Sequence, residues 1–285
     1  MRPLLCLVLL MLVHPALTAA DTILQLMPLK PESEHPKLYR EVIDRLATQH
    51  YRAKNIDDEL SREYLSSYIE RLDPVKRYFL ASDIKEFNQW QTKLDDLARR
   101  GDVSVGFYIF NRLRERTISR LQTNIEILEN SEYSFDFSRN DTIILDPDNR
   151  DWFDSLDAAN EYSIKALQDS MIRLMLGGKE KKEARDLLVK RYRAQLTQLR
   201  QRKSDDVFDL YTNALASLYD PHTSYFSPRT MENFKINMSL SLEGIGAELT
   251  TKDEYTEVVR VIPGGPADLQ GILKPEDKII GVGQG

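Results

Sequence analysis

The chain has 285 residues, of which 41% are hydrophobic and 29% are charged, so it is long enough and apolar enough to bury a core and to form one large or two ordinary domains. Its 39 basic and 45 acidic residues give a formal net charge of −6. This mild acidity, spread over both signs, argues against nucleic acid or an anionic membrane surface as the main partner.

The first 20 residues have the three-part pattern of a secretory signal peptide. Arg2 supplies a positive charge, Leu4 to Val13 form an apolar run too short to span a bilayer, and small residues at 16–20 precede Asp21. Cleavage there would remove Cys6, the single cysteine, so the mature chain would contain neither a disulfide nor a thiol. We therefore expect an exported, periplasmic protein with no membrane span after signal cleavage.

Residues 21–237 are predicted to form an all-α domain, because apolar residues recur at every third or fourth position over most of this range. One helix is predicted from residue 82 to a stop at Gly101, and a longer one over 107–128. The stretch 131–150 is rich in Asn, Asp and Ser, which predicts an irregular connection with one extended segment at 143–145.

Three further helices are predicted in the second half of this domain. The first begins at Leu156 and ends at Gly177-Gly178, and a strongly charged helix follows with Leu188 and Leu196 on its inner face. Ser204-Asp205-Asp206 then predict the start of the next helix, because short polar and acidic side chains favour a helix N-terminus.

Near residue 238 the pattern changes from helical spacing to short strands separated by tight turns. Residues 239–242 alternate polar and apolar, residues 255–262 are rich in β-branched side chains, and glycine and proline become frequent. The sequence therefore predicts an α+β, multidomain chain with a second domain over 238–285.

Gly244-Ile245-Gly246-Ala247 is the candidate binding loop of the second domain. Its backbone can approach a ligand closely, and successive N–H groups in such a turn can converge on an anion. If that anion is the terminal carboxylate of a peptide, the peptide can continue as an added strand beside residues 247–249. Taken alone, the Gly-x-Gly pattern is more typical of a plain tight turn, because glycine is the default turn residue.

The residues after the loop favour the binding interpretation. A strand over 258–262 leads into Pro263-Gly264-Gly265-Pro266-Ala267, a small-residue turn that opens a short helix, and Pro275-Glu276-Asp277 then turns into a final strand. This order of motifs resembles a PDZ domain, a small β-barrel-like fold, of the type found in bacterial proteases. Many PDZ domains carry a cation where this chain has Leu240, so here the loop amides would carry more of the carboxylate binding.

Two longer segments resemble the tail-specific, or C-terminal processing, protease family. These are Asp220-Pro221-His222-Thr223-Ser224-Tyr225-Phe226-Ser227-Pro228-Arg229 and Arg77-Tyr78-Phe79-Leu80-Ala81-Ser82-Asp83. The resemblance extends over essentially the whole mature chain. It implies a serine endopeptidase that recognises the apolar C-terminal tail of a protein and cuts within it. The serine and its lysine base would lie in an α/β domain after the PDZ domain. We expect that domain to be absent from this chain and the PDZ domain to be incomplete, so no catalytic residue is assigned.

The resemblance also implies the binding residues and the partners. Gly244, Ile245, Gly246 and Ala247 would donate N–H groups to the carboxylate, and an apolar pocket with Leu242 or Leu249 would hold the last side chain of the tail. The implied partners are protein substrates with apolar C-termini, and an adaptor protein could dock on the helical domain. No nucleic acid and no cofactor are expected.

Other patterns of residues predict no site. Asp220, His222 and Ser224 have the residue types of a hydrolytic triad, but five consecutive positions around a proline predict a bracing turn at the domain junction. Gly281-Val282-Gly283 lacks the third glycine of a dinucleotide loop and is interpreted as a strand end. No metal site is expected, because three histidines have no cysteine or histidine at ligand spacing: His35, His50 and His222.

Two functions of other classes stay open at this point. The chain could act as a secreted, non-catalytic peptide-binding or adaptor module, or its helical part could be a scaffold with no ligand of its own.

Overall fold

A computed structural model describes residues 27–144, 146–238, 244–252 and 255–283. The chain is mostly helical, and a small antiparallel sheet follows the helices, in agreement with the predicted order of an all-α part and a β-containing part. The predicted signal peptide at 1–20, the alternating segment at 239–242 and the predicted site residue Leu242 lie outside the described residues.

Ten α-helices and three strands make up the described part of the chain. The helices are α1 (His35–Thr48), α2 (Asp58–Leu72), α3 (Ala81–Phe87), α4 (Leu94–Arg100), α5 (Ser104–Glu129), α6 (Leu156–Leu176), α7 (Lys181–Gln201), α8 (Ser204–Tyr219), α9 (Pro228–Met238) and α10 (Pro266–Gln270). The strands are β1 (Ala247–Lys252), β2 (Tyr255–Val261) and β3 (Lys278–Ile279), and they form one sheet in the order β1-β2-β3. No helix among these combines the length and the apolar character needed to cross a membrane.

Buried tyrosines organise the main core between α1, α2, α5 and α8. The Tyr64 hydroxyl donates to the Tyr211 carbonyl at 3.0 Å, so the 2.9 Å bond between Tyr39 and Tyr64 has Tyr39 as its donor. The Tyr68 hydroxyl donates to the Gly106 carbonyl at 2.9 Å. A Cβ atom at Gly106 would lie 2.5 Å from the Tyr211 ring, so α5 and α8 approach each other at a distance that only glycine permits.

A second packing region joins the C-terminal half of α5 to α6 and α7. Its buried side chains are Leu128, Phe135, Leu167, Met171, Ala184 and Leu188. Arg185 fixes the chain that leaves α5, because its guanidinium donates to the carbonyls of Leu128 at 3.0 Å and Asn130 at 2.9 Å and also to that of Tyr133. The predicted irregular connection is confirmed over the described residues of 131–150, which form one 3-10 turn at Pro147–Asn149. The extended segment predicted at 143–145 is not a strand at 143–144, and Leu145 lies outside the described residues.

The single helix predicted from residue 82 to Gly101 is wrong in one respect, since the structure divides it into α3 and α4. A 3-10 turn at Asn88–Trp90 separates the two helices. The Ser61 hydroxyl donates to the Asp95 carboxylate at 2.8 Å and accepts from the Asp95 N–H at 2.9 Å, which binds the start of α4 to α2. The predicted stop is confirmed, because Gly101 ends α4 with a left-handed φ of 75°.

Asp83 connects the start of α3 to α5 within the 77–83 segment. Its buried carboxylate accepts from the Leu80 N–H at 3.0 Å, from Arg112 at 2.6 Å and from Arg116 at 2.9 and 3.0 Å. Burial alone would raise the pKa of Asp83, but the hydrogen bonds from Arg116, the Leu80 N–H and Arg112 hold this pKa below its ordinary value. The segment therefore contains a buried ion cluster that fastens α3 to the longest helix.

Helices α6, α7 and α8 are confirmed close to their predicted positions. Asp206 takes part in the start of α8 as expected, because its carboxylate accepts from the Lys203 N–H at 2.8 Å. Helix α9 ends at Met238, one residue past the predicted end of the helical domain.

Candidate peptide-binding site

The predicted binding loop lies immediately before β1 and is fastened to the turn that precedes α10. The Ile262 N–H donates to the Gly246 carbonyl, and the Ala267 N–H donates to the Ile245 carbonyl, each at 2.8 Å. Both loop carbonyls are therefore satisfied within the protein. The N–H groups of Ile245 and Gly246 make no hydrogen bond to any other described residue.

Two glycines from separate sequence motifs make this close approach possible. Gly246 has a left-handed φ of 76°, and a Cβ atom there would lie 2.9 Å from Pro266 Cδ and 3.0 Å from Gly265 Cα. A Cβ atom at Gly265 would lie 3.0 Å from the Ile262 carbonyl oxygen and 3.1 Å from Gly246 Cα. The Gly-x-Gly loop and the Pro-Gly-Gly-Pro turn thus meet as two backbones with no room for side chains between them.

Strand β1 offers an edge on which a further strand could form. In the described sheet β1 pairs only with β2, from Ala247 opposite Val261 to Lys252 opposite Tyr255. The pairing shifts between Glu248 and Leu249, so β2 contains one extra residue at this bulge. The far edge of β1 has no partner among the described strands, and unpaired N–H and C=O groups on such an edge are a template for an added strand.

Apolar side chains lie on the surface beside this loop and edge. The exposed fraction of the residue is 51% for Ile245, 42% for Leu249 and 81% for Leu269 on α10. Ala247 is half-buried. Large apolar groups at such exposure are accessible to an apolar ligand, and the role of Leu249 in binding stays a prediction.

A cation on the strand next to β1 is already paired. Arg260 on β2 forms a 2.6 Å ion pair with Glu248 across the β1–β2 ladder. The guanidinium of Arg260 is therefore engaged by an acidic partner on β1.

Asp220, His222 and Ser224 form a turn and lack the contacts of a hydrolytic triad. The Asp220 carboxylate accepts from the backbone N–H of His222 at 2.8 Å and from the Tyr51 hydroxyl, and the His222 and Ser224 side chains are exposed. The hydrogen bond from Tyr51, followed by that from the His222 N–H, lowers the pKa of Asp220. The carboxylate therefore braces the turn instead of orienting an imidazole.

Sequence reasoning missed two residues, distant in sequence, that bond to the segment between α8 and α9. His50 Nε2 lies 2.9 Å from Thr223 Oγ1, and Asn213 on α8 both accepts from the Tyr225 N–H at 2.7 Å and donates to the Tyr225 carbonyl at 3.0 Å. The only available signal was a polar Asn213 on a helix whose neighbours are apolar. These bonds fix the path from α8 to α9, and α9 leads towards the loop.

The described part of the chain shows no group of three or more His, Cys, Asp or Glu side chains that could hold a metal ion. Two of the histidines instead have protein partners: His35 Nε2 lies 2.9 Å from the Asp205 carboxylate, and His50 Nε2 lies 2.9 Å from Thr223 Oγ1. The sequence predicted a strand end at residues 281–283, and β3 ends slightly earlier, at Ile279.

Known proteins resemble this chain over most of its length. Residues 42–229 match the family described as the tail specific protease N-terminal domain. A tail-specific protease of Haemophilus influenzae is 37% identical over 241 residues, which cover 84% of this chain and 34% of that protein. The carboxy-terminal processing proteases CtpA and CtpB of Bacillus subtilis are 36% identical over 99 residues and 37% identical over 68 residues. The chain thus spans about a third or less of the length of these relatives, at 34%, 21% and 14%.

Proposed function

Because this chain belongs to the tail-specific protease family, we propose that it is the N-terminal and substrate-recognition part of an exported serine endopeptidase. The enzyme would recognise the apolar C-terminal tails of proteins and degrade or process them. Residues 1–20 would direct it to the periplasm, residues 21–237 would form the helical domain, and residues 238–285 would belong to a PDZ domain. The serine nucleophile and lysine base would come from an α/β domain outside this chain.

The observation that supports this proposal is a loop at the start of β1 whose Ile245 and Gly246 N–H groups, like the far edge of β1, have no partner among the described residues. The carbonyls of Ile245 and Gly246 are bonded within the protein, so the peptide planes of the loop present their N–H sides to a ligand. A C-terminal carboxylate held by the loop 244–247 would start an added strand along β1. Ile245 and Leu249, with Leu242, would contact the last apolar side chain of the tail.

The names of the relatives agree with this role. The Haemophilus influenzae protein is named a tail-specific protease, and the two Bacillus subtilis proteins are named for carboxy-terminal processing. For this chain we propose that binding of the tail tethers the substrate beside a catalytic domain. Such a tether raises the effective concentration of the scissile segment without any new contact at the catalytic centre. An adaptor protein on the helical domain would be a second route for presenting substrates.

A peptide pair tests the carboxylate capture directly. A fluorescent peptide with an apolar C-terminus is titrated with the full-length protein, first as the free acid and then as the C-terminal amide. We expect the amide to bind at least tenfold more weakly, because each hydrogen bond to a charged group contributes about 1.5–3 kcal/mol. Equal binding of the two peptides would contradict the role of residues 244–247.

Cleavage separates a protease from a secreted binding module that uses the same loop. A folded protein that carries the apolar tail is incubated with the full-length protein, and its mass is followed over time. A protease shortens the substrate with the apolar tail faster than the same protein with a charged tail. A binding module leaves both proteins intact.

A further inference from the structure

A large crevice lies between α7 and the end of the β1–β2 hairpin. Its volume is about 1450 Å³, and Thr251 and Tyr255 line it on the sheet side. On the helical side it is lined by α7 and by residues 128–134, which leave the end of α5. The crevice therefore begins where the proposed peptide-binding edge of β1 ends.

The helical wall of this crevice is mainly basic, although the whole chain has a net charge of −6. Besides Lys190, which has a partner of its own, four cations line it against the two acids Glu129 and Asp186: Lys181, Lys182, Arg185 and Arg193. Arg193 is paired with Glu129 at 2.5 Å, and Arg185 is bonded to backbone carbonyls. Lys182 is exposed and makes no hydrogen bond or ion pair with another described residue. The wall thus keeps positive charge beyond what its own acids neutralise.

The direction of the proposed added strand brings the substrate to this wall. A tail whose carboxylate is held at the start of β1 must run antiparallel to β1, so its upstream residues pass Leu249 and then Thr251. With about 3.4 Å per residue, the tail reaches Thr251 about four residues before its C-terminus. The residues further upstream then emerge beside α7. There Thr197, Gln198 and Gln201 add side chains that can bond to an extended backbone.

We propose that this crevice is an extended specificity subsite that binds the substrate segment upstream of the apolar tail. It would favour acidic residues about five to eight positions before the C-terminus, because carboxylates there complement the basic wall of α7. The proposal rests on the proposed function, since the carboxylate at 244–247 sets the register of the peptide. The substrates preferred by this protein therefore combine an acidic segment with an apolar end.

Six peptides test the subsite in the full-length protein. All share one apolar C-terminal tail, and residues five to eight before the end are four Glu, four Gln or four Lys, each made as the free acid and as the amide. The dissociation constant of each is measured by fluorescence anisotropy at low and at high salt. We expect the Glu peptide to bind about tenfold more tightly than the Lys peptide at low salt, because exposed ion pairs are individually weak but several act together. The difference should shrink at about 1 M salt.

Two charge reversals on α7 locate the effect. Lys182→Glu should reduce the preference for the Glu peptide over the Lys peptide at least threefold. Arg191→Glu is the matched control, because Arg191 is exposed on the same helix and does not line the crevice, so the same change in net charge should leave the preference intact. The ratio of free-acid to amide affinity should stay constant in both variants, which shows that the loop and fold are unchanged.

The outcomes distinguish this subsite from the tail-binding loop. If the Glu, Gln and Lys peptides bind equally while the free acids still bind more tightly than the amides, the subsite is refuted and the loop stands. Equal effects of Lys182→Glu and Arg191→Glu also refute it, because the preference would then reflect overall charge. If amides bind as well as free acids, carboxylate capture fails, and the path that brings the upstream segment to α7 fails with it.

Discussion

Replacing Gly246 with alanine should separate the loop from the turn that supports it. The left-handed φ of 76° costs an alanine about 1–2 kcal/mol. Its Cβ atom would also lie 2.9 Å from Pro266 Cδ and 3.0 Å from Gly265 Cα, so the two backbones must move apart. That movement weakens the 2.8 Å bonds donated by Ile262 and Ala267, which contribute about 1 kcal/mol each. Together these changes should lower the free energy needed for local opening of the loop by about 2–3 kcal/mol.

Amide hydrogen exchange reports this opening at the two donors. If the free energy of local opening falls by about 2 kcal/mol, the amides of Ile262 and Ala267 should exchange roughly 30-fold faster, since about 1.4 kcal/mol is a factor of ten. Peptide affinity should fall as well, because a smaller fraction of molecules holds the loop in its binding conformation.

Gly244→Ala is the matched control for this substitution. A Cβ atom at Gly244 meets no heavy atom of the described residues within 4 Å, so the effect of this substitution should stay within about 0.5 kcal/mol. If Gly246→Ala and Gly244→Ala exchange at the same rates, then the contact between Gly246 and Gly265 does not constrain the loop, and the site geometry described above is wrong.

Two further substitutions test the helical part, each followed by urea unfolding. Gly106→Ala should destabilise the protein by about 1–3 kcal/mol, because the new methyl group would clash with the Tyr211 ring. Helix propensity alone predicts the opposite, a gain in stability of about 1 kcal/mol. A gain in stability would therefore refute the close packing of α5 and α8. Asp83→Asn should cost about 3 kcal/mol at pH 7, because Arg112 and Arg116 lose a buried anionic partner. Because the pKa of Asp83 is lowered in the folded state, its contribution to stability is present above its unfolded pKa of about 3.9 and is lost as pH falls towards the folded pKa. The difference in unfolding free energy between wild type and variant should therefore narrow at low pH.

The spacing of apolar residues predicted most of the helices. It failed between α3 and α4, where a contact with a residue distant in sequence accompanies the break. Trp90 and Leu94 continue the helical spacing of residues 84–97, and no glycine or proline marks the break between α3 and α4. The break depends on the bonds between Asp95 and Ser61, a residue on another helix. Spacing within a window contains no information about such a partner.

The candidate site follows the same division. The glycines of the loop and of the turn are each visible as local motifs, and resemblance to a PDZ domain predicted their order along the chain. Three features required the folded chain: the contact between these glycines, the edge of β1 that no described strand pairs with, and the bracing of Asp220 by Tyr51, which is 169 residues away in sequence. The crevice beside α7 had no sequence signal, because a basic helix is typical of any solvated surface until its neighbour is known.

The two proposed parts of tail recognition depend on different physics and are therefore separable. The loop would bind the carboxylate through N–H dipoles, whose field falls off over a few ångströms, so salt should change that part little. The wall of α7 would act on upstream carboxylates through full charges such as Lys182, whose field is screened over roughly 10 Å at 0.1 M salt. The loop would then fix where a substrate ends, and the crevice would rank substrates that end alike. A protein with an apolar tail but a basic upstream segment would therefore dock in the loop and still be a poor substrate.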